Sequence, residues 1–348
     1  MKQIFLVLTG LILTQSLLPA QRMDPVRLKV MDEPQGVEVY LSGALFTTYR
    51  YGAELEKPIL FPVLAPGGNE ITRGFPLEPR AGERIDHPHH VGLWFNYGDV
   101  NGYDFWNNSR AIPLDRKGGY GRIIHDRILK VSSGENSGVL EVSMDWMAPD
   151  TDRAKKLLRE QTTFVFQGRE GIRMIDRITR LTAIADTVVF TDNKEGMLAI
   201  RVGRAFELPS DDPVVLSDAS GQARGEPVVD QAGVTGWYLN SEGDQGPSAW
   251  GKNARWVRLS GTRDGQECSM VLMDHPGNIN YPACWHARGY GLFSVNNLGR
   301  EVYNQKLERF RLPLKKGESI TFRHRFVVAA GTLDEAQIET LFREFTAE

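Results

Sequence analysis

The sequence predicts an all-β fold, a large antiparallel β-sandwich with one C-terminal helix. Short segments rich in β-branched and aromatic residues recur from residue 26 onward, as strands require. The 35 glycines and 18 prolines fall between many of these segments, where chain reversals need them. Helical periodicity is convincing in one segment, near the C-terminus. These observations exclude long helical repeats, coiled coils and collagen.

The strand-like segments follow one another along most of the chain. They are residues 26–30, 37–41, 45–49, 139–146, 162–167, 172–181, 187–191, 197–202, 256–259, 269–273, 292–295 and 320–328. The last segment alternates apolar and polar residues, which is the pattern of a half-buried strand. His324 falls on its apolar side, so we expect a hydrogen-bonded histidine in the core.

The helix is predicted by a start signal and an apolar stripe. Thr332 and Glu335 have the spacing of a capping box, in which both side chains satisfy free backbone amides. The stripe has the spacing of one helix face and consists of Ile338, Leu341, Phe342 and Phe345. We expect this helix to pack on the outside of a sheet.

The N-terminus has the pattern of an export signal. Lys2 precedes an apolar run, and a cleavage site follows at about Ala20. Residues 1–20 are therefore predicted to be a signal peptide, and residues 21–348 to be a single β-sandwich domain in the periplasm or outside the cell. No later apolar stretch reaches the ~18 residues of a membrane span, so no membrane contact is expected after signal removal.

Charge and cysteine content narrow the partners and the covalent framework. Lys and Arg number 41 against 44 Asp and Glu, a net charge of −3. No basic excess exists to hold a polyanion, so nucleic acid is not expected as a partner. An exported protein can form a disulfide between Cys268 and Cys284, but two separate buried thiols are the simpler interpretation.

Five of the seven histidines lie in two short segments. The first segment begins Asp86-His87-Pro88-His89-His90, and the second begins Asp274-His275-Pro276-Gly277-Asn278. Because Asp-His-Pro opens both, we expect two strand–loop units to present similar groups to one place. The long Gly- and Pro-rich stretches 64–88 and 208–245 are expected to form loops around this cleft.

Strand alternation selects among these residues. If residues 91–97 form a strand, His90 and Trp94 share a cleft-like face, and His89 falls on the apolar face as a core histidine. In the second segment, His286 and Arg288 share a face. On a further strand, Glu195 and Arg201 share a face, either as substrate-binding or acid–base groups or as a structural ion pair.

Three sequence runs together resemble a known family. They are DHPHHVGLWFNYGDVNGYDFW, KEGMLAIRV and DHPGN…WHARGYGLF, within about residues 40–297. They resemble the bacterial PmoA-like family, filed as "methane oxygenase PmoA". The resemblance implies an exported protein with a β-supersandwich like that of galactose mutarotases. Val91 departs from the family pattern, which often has an arginine there.

The first functional hypothesis is a carbohydrate-active enzyme, whether hydrolase, lyase or epimerase. His90 or His286 would be the acid and Glu195 the base. Sugars stack their C–H faces on aromatic rings, and Trp94, Trp106 and Trp285 would supply such a platform. The remaining candidate substrate-binding residues, chosen as polar or aromatic neighbours, are His87, His89, Asp99, Asn101, Asp104, Lys194, Arg201, His275, Asn278 and Arg288.

Two alternatives remain open. His87 and His89 form an H-x-H motif that, with Glu195 or His275, would suit iron, copper or zinc in a metal-dependent oxygenase or hydrolase. We prefer a protein without a resident metal or other cofactor. The second alternative is a non-catalytic sugar-binding module, which would keep the aromatic residues without so many titratable groups.

Overall fold

The structure is a computed structural model that describes residues 22–149 and 155–347. The predicted signal peptide, residues 1–20, lies outside the described residues. Within the described ranges, no helix has the length and hydropathy needed to cross a membrane.

The described chain forms eighteen strands and one α-helix. The strands in chain order are β1 (Val26–Met31), β2 (Gly36–Leu41), β3 (Ala44–Arg50), β4 (Ile59–Val63), β5 (Leu93–Tyr97), β6 (Arg122–Ser132), β7 (Gly138–Ala148), β8 (Lys155–Arg169), β9 (Ile172–Ala183), β10 (Thr187–Thr191), β11 (Gly196–Arg201), β12 (Trp237–Asn240), β13 (Trp256–Arg263), β14 (Gln266–Asp274), β15 (Cys284–Trp285), β16 (Leu292–Asn296), β17 (Arg311–Lys315) and β18 (Ser319–Ala330). The helix is α1, Glu335–Thr346.

Two eight-stranded sheets contain most of these strands. Sheet 1 has the order β1-β2-β3-β4-β5-β11-β16-β15, and sheet 2 has the order β12-β13-β14-β18-β9-β8-β7-β6. Strands β10 and β17 form a small separate pair. Neighbouring strands are antiparallel.

The main core lies between the two sheets. Phe95 of sheet 1 has its ring centroid 6.5 Å from that of Trp146 and 6.0 Å from that of Phe322, both in sheet 2. These apolar faces belong to one continuous buried cluster, whose burial is the main favourable contribution to folding. The prediction of an all-β sandwich with one C-terminal helix is confirmed.

Helix α1 packs on the outer face of sheet 2, as predicted. Its buried residues Ile338, Leu341, Phe342 and Phe345 join a cluster that includes Trp256 and Val271 of sheet 2. The predicted cap is wrong by two residues: Asp334 is the N-cap, and Gln337 completes the capping box. Leu333 is buried in the same cluster, and its backbone N–H donates to Ser269 Oγ, so the chain turns into the helix only after it.

The predicted strands all coincide with observed ones, whereas β4, β6, β12, β15 and β17 were not predicted. Strand β6 lies at the edge of sheet 2 and leaves Ile124 44% and Leu129 41% exposed, so it lacks a clean alternation. Strand β17 contains Pro313, and a proline argues against a strand in a prediction from sequence. The histidine predicted for the core is confirmed: His324 is buried, with Nε2 2.9 Å from Asn297 Oδ1.

Two local predictions are settled by the turn before β5 and by the cysteines. Strand β5 begins at Leu93 rather than residue 91, because His87 has φ +43° and Gly92 has φ +61°. A Cβ at Gly92 would lie 2.5 Å from the Leu60 carbonyl oxygen, so only glycine fits. Cys268 and Cys284 are separate buried free thiols.

Candidate active site

The candidate site lies on the face of sheet 1 that points away from the main core. There Trp94 of β5 lies opposite Ala199 of β11. Both belong to a second, smaller apolar cluster that also contains Leu292 of β16 and Trp106 from the loop after β5. Tyr290 packs against the rim of this cluster. The loops that cover this face carry the first histidine segment.

Two buried arginines fix the start of that segment. Asp86 Oδ1 accepts hydrogen bonds from Arg73 Nη1 at 2.8 Å and from Arg201 Nη2 at 2.6 Å. Arg73 Nη2 also donates to the backbone carbonyls of His87 and His90. Burial, together with the charge of Arg201, lowers the pKa of Arg73 to about 9. The turn is therefore held by a guanidinium pair that shares one carboxylate.

The Asp86 carboxyl is kept ionised by these neighbours. Burial acts to raise the pKa of Asp86, but the His87 hydrogen bond and the charges of Arg201 and Arg73 outweigh it and hold the pKa well below its usual range. Of the two alternatives for Glu195 and Arg201, the structural ion pair is wrong, because the Arg201 side chain turns toward Asp86.

Three rings lie nearly parallel above this anchor. The His87 ring centroid is 4.9 Å from that of His90 and 4.9 Å from that of Tyr290, with interplanar angles of 1° and 9°. The His87 side chain is 40% exposed, whereas the His90 residue is 1% exposed. The ring open to solvent is therefore His87.

His90 does not have the environment of the predicted catalytic acid. Trp106 Nε1–H donates to His90 Nε2 at 3.2 Å, and Arg201 Nη1 lies 3.2 Å from His90 Nδ1. Burial, with the neighbouring His89 ring and Arg201 adding to it, holds the pKa of His90 well below its usual range. His90 is thus a neutral structural ring. The predicted alternation failed because residues 87–90 form a turn, which leaves His89 the more exposed of the two.

The other two predicted catalytic residues lie next to each other. Glu195 Oε2 is 3.5 Å from His286 Nδ1, and Glu195 Oε1 is 3.5 Å from the exposed Lys194 Nζ. The Glu195 side chain is 15% exposed and that of His286 is 3% exposed. The structure therefore brings a carboxyl and an imidazole together at the edge of a buried region, with the carboxyl on the solvent side.

Their protonation follows from this burial. Burial raises the pKa of Glu195, and the charge of Lys194 opposes the rise. Burial lowers the pKa of His286 to about 3, the charges of Arg288 and Lys194 add to this effect, and a hydrogen bond to the Lys194 backbone opposes it. His286 is therefore neutral near pH 7 and is not the predicted imidazolium acid. It contacts Glu195 as an uncharged ring.

A buried lysine was missed by the sequence analysis. Lys57 is 2% exposed. Its Nζ donates to the His89 carbonyl at 2.7 Å and lies 5.2 Å from the Trp94 ring centroid. Burial lowers its pKa to about 7, against the charges of Glu56 and Asp104. In the sequence, the burial of Lys57 is indicated only by its position next to the apolar run of β4. Burial and the charge of Lys57 also lower the pKa of His89 to about 2.

The predicted tryptophan platform is wrong. Trp94, Trp106 and Trp285 are each 0% exposed. Trp94 and Trp106 fill the cluster beneath the loops, and Trp285 Nε1 donates to the Ala254 carbonyl in the main core. The exposed indoles are Trp237 at 46% and Trp250 at 36%.

The acidic and amide residues of the first segment are tied to backbone groups. Asp99 Oδ1 accepts from the Gly102 N–H, and Asn101 bonds the backbone of β10 through both its oxygen and its nitrogen. Asp104 Oδ1 accepts from the Trp106 and Asn107 N–H groups. Their predicted role as sugar ligands is not supported, because these side chains shape turns instead.

The second histidine segment divides between two places. His275 packs edge-on against Phe345 of α1 with centroids 5.2 Å apart, and Asn278 Nδ2 donates to Asp274 and to the Arg323 carbonyl. The prediction that His275 and Asn278 join the site is wrong, because their side chains contact sheet 2 or the helix that packs on it. Arg288 is exposed and lies over Tyr290, next to the site.

The His87-x-His89 pair does not point its rings in one direction. Pro88 lies in the turn, and the two ring centroids are 5.6 Å apart with planes at 73°. Among residues 22–149 and 155–347, no group of three His, Cys, Asp or Glu side chains is arranged to hold a metal ion.

Comparisons with known proteins place the chain in a family without an assigned activity. A family model described as "Family of unknown function (DUF6807)" matches residues 36–343. No curated protein matches the chain. The matching family is not described as PmoA-like, so that resemblance stays a prediction.

Several solved structures are similar at low identity. The galactosidase domain of an alpha-galactosidase-sucrose kinase has 10% identity and a TM-score of 0.45, over 88% of this chain and 42% of that one. A GH36 alpha-galactosidase from Geobacillus stearothermophilus has 11% identity and a TM-score of 0.41, over 88% of this chain and 41% of that one. A galactose mutarotase-like protein from Clostridium acetobutylicum has 12% identity and a TM-score of 0.38, over 88% of this chain and 98% of that one. The chain spans about two fifths of the two galactosidase chains.

Proposed function

The chain belongs to this family of unknown function, DUF6807, and we propose that it is an enzyme that acts on a carbohydrate by proton transfer through Glu195. The observation that carries the proposal is the Glu195–His286 pair, with 3.5 Å between Oε2 and Nδ1. A carboxyl with a raised pKa at the edge of a buried region is suited to exchange protons with a substrate hydroxyl or C–H group.

The neighbouring residues divide the remaining tasks. The neutral His286 ring lies with Nδ1 3.5 Å from Glu195 Oε2, and we assign it to positioning the carboxyl. His87 is the exposed imidazole, stacked on Tyr290. We assign His87 to the second proton-exchanging position and Lys194 to a substrate hydroxyl at the rim. A reaction that removes one proton and delivers another uses two such groups, each within hydrogen-bond reach of the atom that it serves.

The carbohydrate assignment draws on the surroundings of the pair. Sugars combine hydroxyl groups with apolar C–H faces, so their sites pair polar side chains with aromatic rings. Here the polar groups are His87 and Lys194, and the aromatic groups are Tyr290 and the exposed Trp250. The resemblance of the histidine and KEGMLAIRV runs to an exported, mutarotase-like family points to the same class. The signal predicted at residues 1–20 would place the reaction outside the cytoplasm.

The test is a substrate screen followed by a matched pair of variants. Mono- and oligosaccharides are incubated with the protein, and conversion is followed by proton NMR. We expect Glu195→Gln to lower the rate at least ~100-fold, the usual size of general acid–base catalysis. Glu226→Gln, on an exposed loop, is the control and should match the native rate. A folded Glu195→Gln protein with near-native turnover would remove Glu195 from the mechanism. Sugar binding without any conversion would favour the binding-module alternative.

A further inference from the structure

A cleft of about 330 Å³ opens beside the candidate active site. Its lining includes Arg84, Asp212, Trp250, Arg288 and Tyr290. Tyr290 is common to both places, because its ring also lies 4.9 Å from the His87 ring. A molecule long enough to fill the cleft would therefore continue toward His87.

Arg288 is held in this cleft by aromatic rings rather than by acids. Its guanidinium carbon lies 5.8 Å from the Trp250 ring centroid and 5.6 Å from that of Tyr290. Within the described part of the chain, its side chain makes no ion pair or hydrogen bond. The guanidinium lies within cation–π distance of both rings while all its N–H donors stay available, which suits a planar carboxylate or a sulfate.

The charges that line the cleft favour an anion. Two arginines, Arg84 and Arg288, face one carboxylate, that of the exposed Asp212. Arg84 is already engaged, with Nε 3.0 Å from Glu207 Oε2 and 4.0 Å from Asp86 Oδ2. Of the two arginines, Arg288 is the one without a carboxylate partner among the described residues. It is exposed, so an anionic group of a ligand can reach it.

Trp250 supplies the second half of a sugar site. It is 36% exposed and lies on the cleft wall, so part of its indole is open to a ligand. A pyranose ring presents an apolar C–H face to such a ring, while an acidic substituent on the same sugar reaches the neighbouring guanidinium. The Arg288 guanidinium carbon lies 5.8 Å from the Trp250 ring centroid, so a substituent of a sugar on this indole is within reach of the guanidinium.

We propose that this cleft is a subsite for a sugar unit that carries an anionic group, with Trp250 under the ring and Arg288 on the carboxylate or sulfate. The inference rests on the proposed function, because the next sugar unit of the same ligand would lie at Glu195. It narrows the substrate class to acidic oligosaccharides, that is, uronate-containing or sulfated chains.

The binding experiment uses Glu195→Gln protein, in which turnover does not interfere. Calorimetry compares trigalacturonate, a sulfated galactose trisaccharide and the uncharged galactose trisaccharide. We expect one of the two acidic ligands to bind at least ~10-fold more tightly than the uncharged one, since a charged hydrogen bond contributes that much. The two acidic ligands distinguish carboxylate from sulfate.

Variants identify the residues responsible. Arg288→Gln should remove the preference for the acidic ligand, and Arg288→Lys should restore it only in part, because lysine lacks the planar fork. Trp250→Ala should weaken acidic and uncharged ligands by similar factors. Arg309→Gln, at another exposed arginine, is the control and should bind like the parent protein.

The outcomes separate this inference from the proposed function. Equal affinity for acidic and uncharged ligands, or an acidic preference that survives Arg288→Gln, would overturn the subsite while leaving Glu195 in its role. An Arg288-dependent preference together with native turnover by Glu195→Gln would support the subsite and reject the proposed mechanism. If none of the three ligands binds, the subsite is rejected.

Discussion

The two Asp-His-Pro segments have the same three residues but lie in different environments. In the first, Asp86 accepts hydrogen bonds from two buried arginines, and His87 stands partly open to solvent. In the second, Asp274 is wholly buried among amide groups, and His275 packs against helix α1. The partners that each fold position supplies, and not the tripeptide, decide whether the segment forms a site.

The two carboxyl groups show the difference in electrostatic terms. The charges of Arg201 and Arg73 hold the pKa of Asp86 below its usual range although burial opposes them. Burial raises the pKa of Asp274 to about 6, because the hydrogen bonds from Asn297 and Asn278 are uncharged and compensate only in part. One carboxylate is paired with guanidinium groups, and the other is solvated by amides.

The largest expected effect comes from removing the charge in the first segment. Asp86→Asn leaves Arg73 and Arg201 buried without a carboxylate, which should lower the free energy of unfolding by about 3–5 kcal/mol. Asp274→Asn keeps one acceptor oxygen for Asn278 and Asn297, but places an amide N–H₂ against the Ala283 N–H. Its cost should be about 1–3 kcal/mol. Urea unfolding of both variants measures the comparison.

One outcome of the urea experiment would contradict this prediction. If Asp274→Asn destabilises the protein as much as Asp86→Asn, the guanidinium pairing has no special weight. The shared tripeptide would then act alike in both places.

The pH dependence of stability should have opposite signs in the two segments. The folded pKa of Asp274 lies above its unfolded value of 3.8, so its contribution is present below about pH 4 and is lost as the pH rises through about 6. The shift of about two units corresponds to at most about 3 kcal/mol. The folded pKa of Asp86 lies below its unfolded value, so its contribution is present at neutral pH and is lost in acid.

Chemical unfolding at pH 4, 5, 6 and 7 tests these signs. The stability difference between the native protein and Asp274→Asn should fall as the pH rises over this range. The difference between the native protein and Asp86→Asn should rise or stay level over the same range. A native-minus-Asp274→Asn difference that grows with pH would contradict the raised pKa of Asp274.

The fold could be predicted further than the site, and the reason is local. Alternation and apolar runs report the faces of sheets, and the strands they predicted are present. The same rule, extended through residues 87–92, exchanged the environments of His89 and His90, because the positive φ angles of His87 and Gly92 end the strand pattern. Turn geometry of this kind depends on Leu60, which is remote in sequence.

The burial of the tryptophans could not be predicted for a related reason. Sheet 1 has apolar residues on both faces, since loops cover its outer side. A strand with two buried faces gives no pattern that separates core from cleft. Trp94 therefore resembled a cleft residue, and Lys57 gave no sign that its amine would lie over that ring. Glu195 and His286 were both assigned to the cleft, as base and as one of two possible acids, and the structure places them 3.5 Å apart, directly before β11 and directly after β15.

The smallest expected effect concerns His275, and it completes the comparison. His275→Ala removes an edge-on contact with Phe345 and the hydrogen bond that Nδ1 accepts from the Gly277 N–H at 2.9 Å. The segment is partly exposed, so the free energy of unfolding should fall by only about 0.5–1.5 kcal/mol. Limited proteolysis should show α1 released more readily, because this contact joins the helix to sheet 2. Turnover of a sugar substrate should not change, whereas His87→Ala should lower it, because His87 lies in the candidate site and His275 lies beside α1. Loss of turnover in a stable His275→Ala protein would mean that the second Asp-His-Pro tripeptide also acts in the site, and the contrast between the two tripeptides would fail.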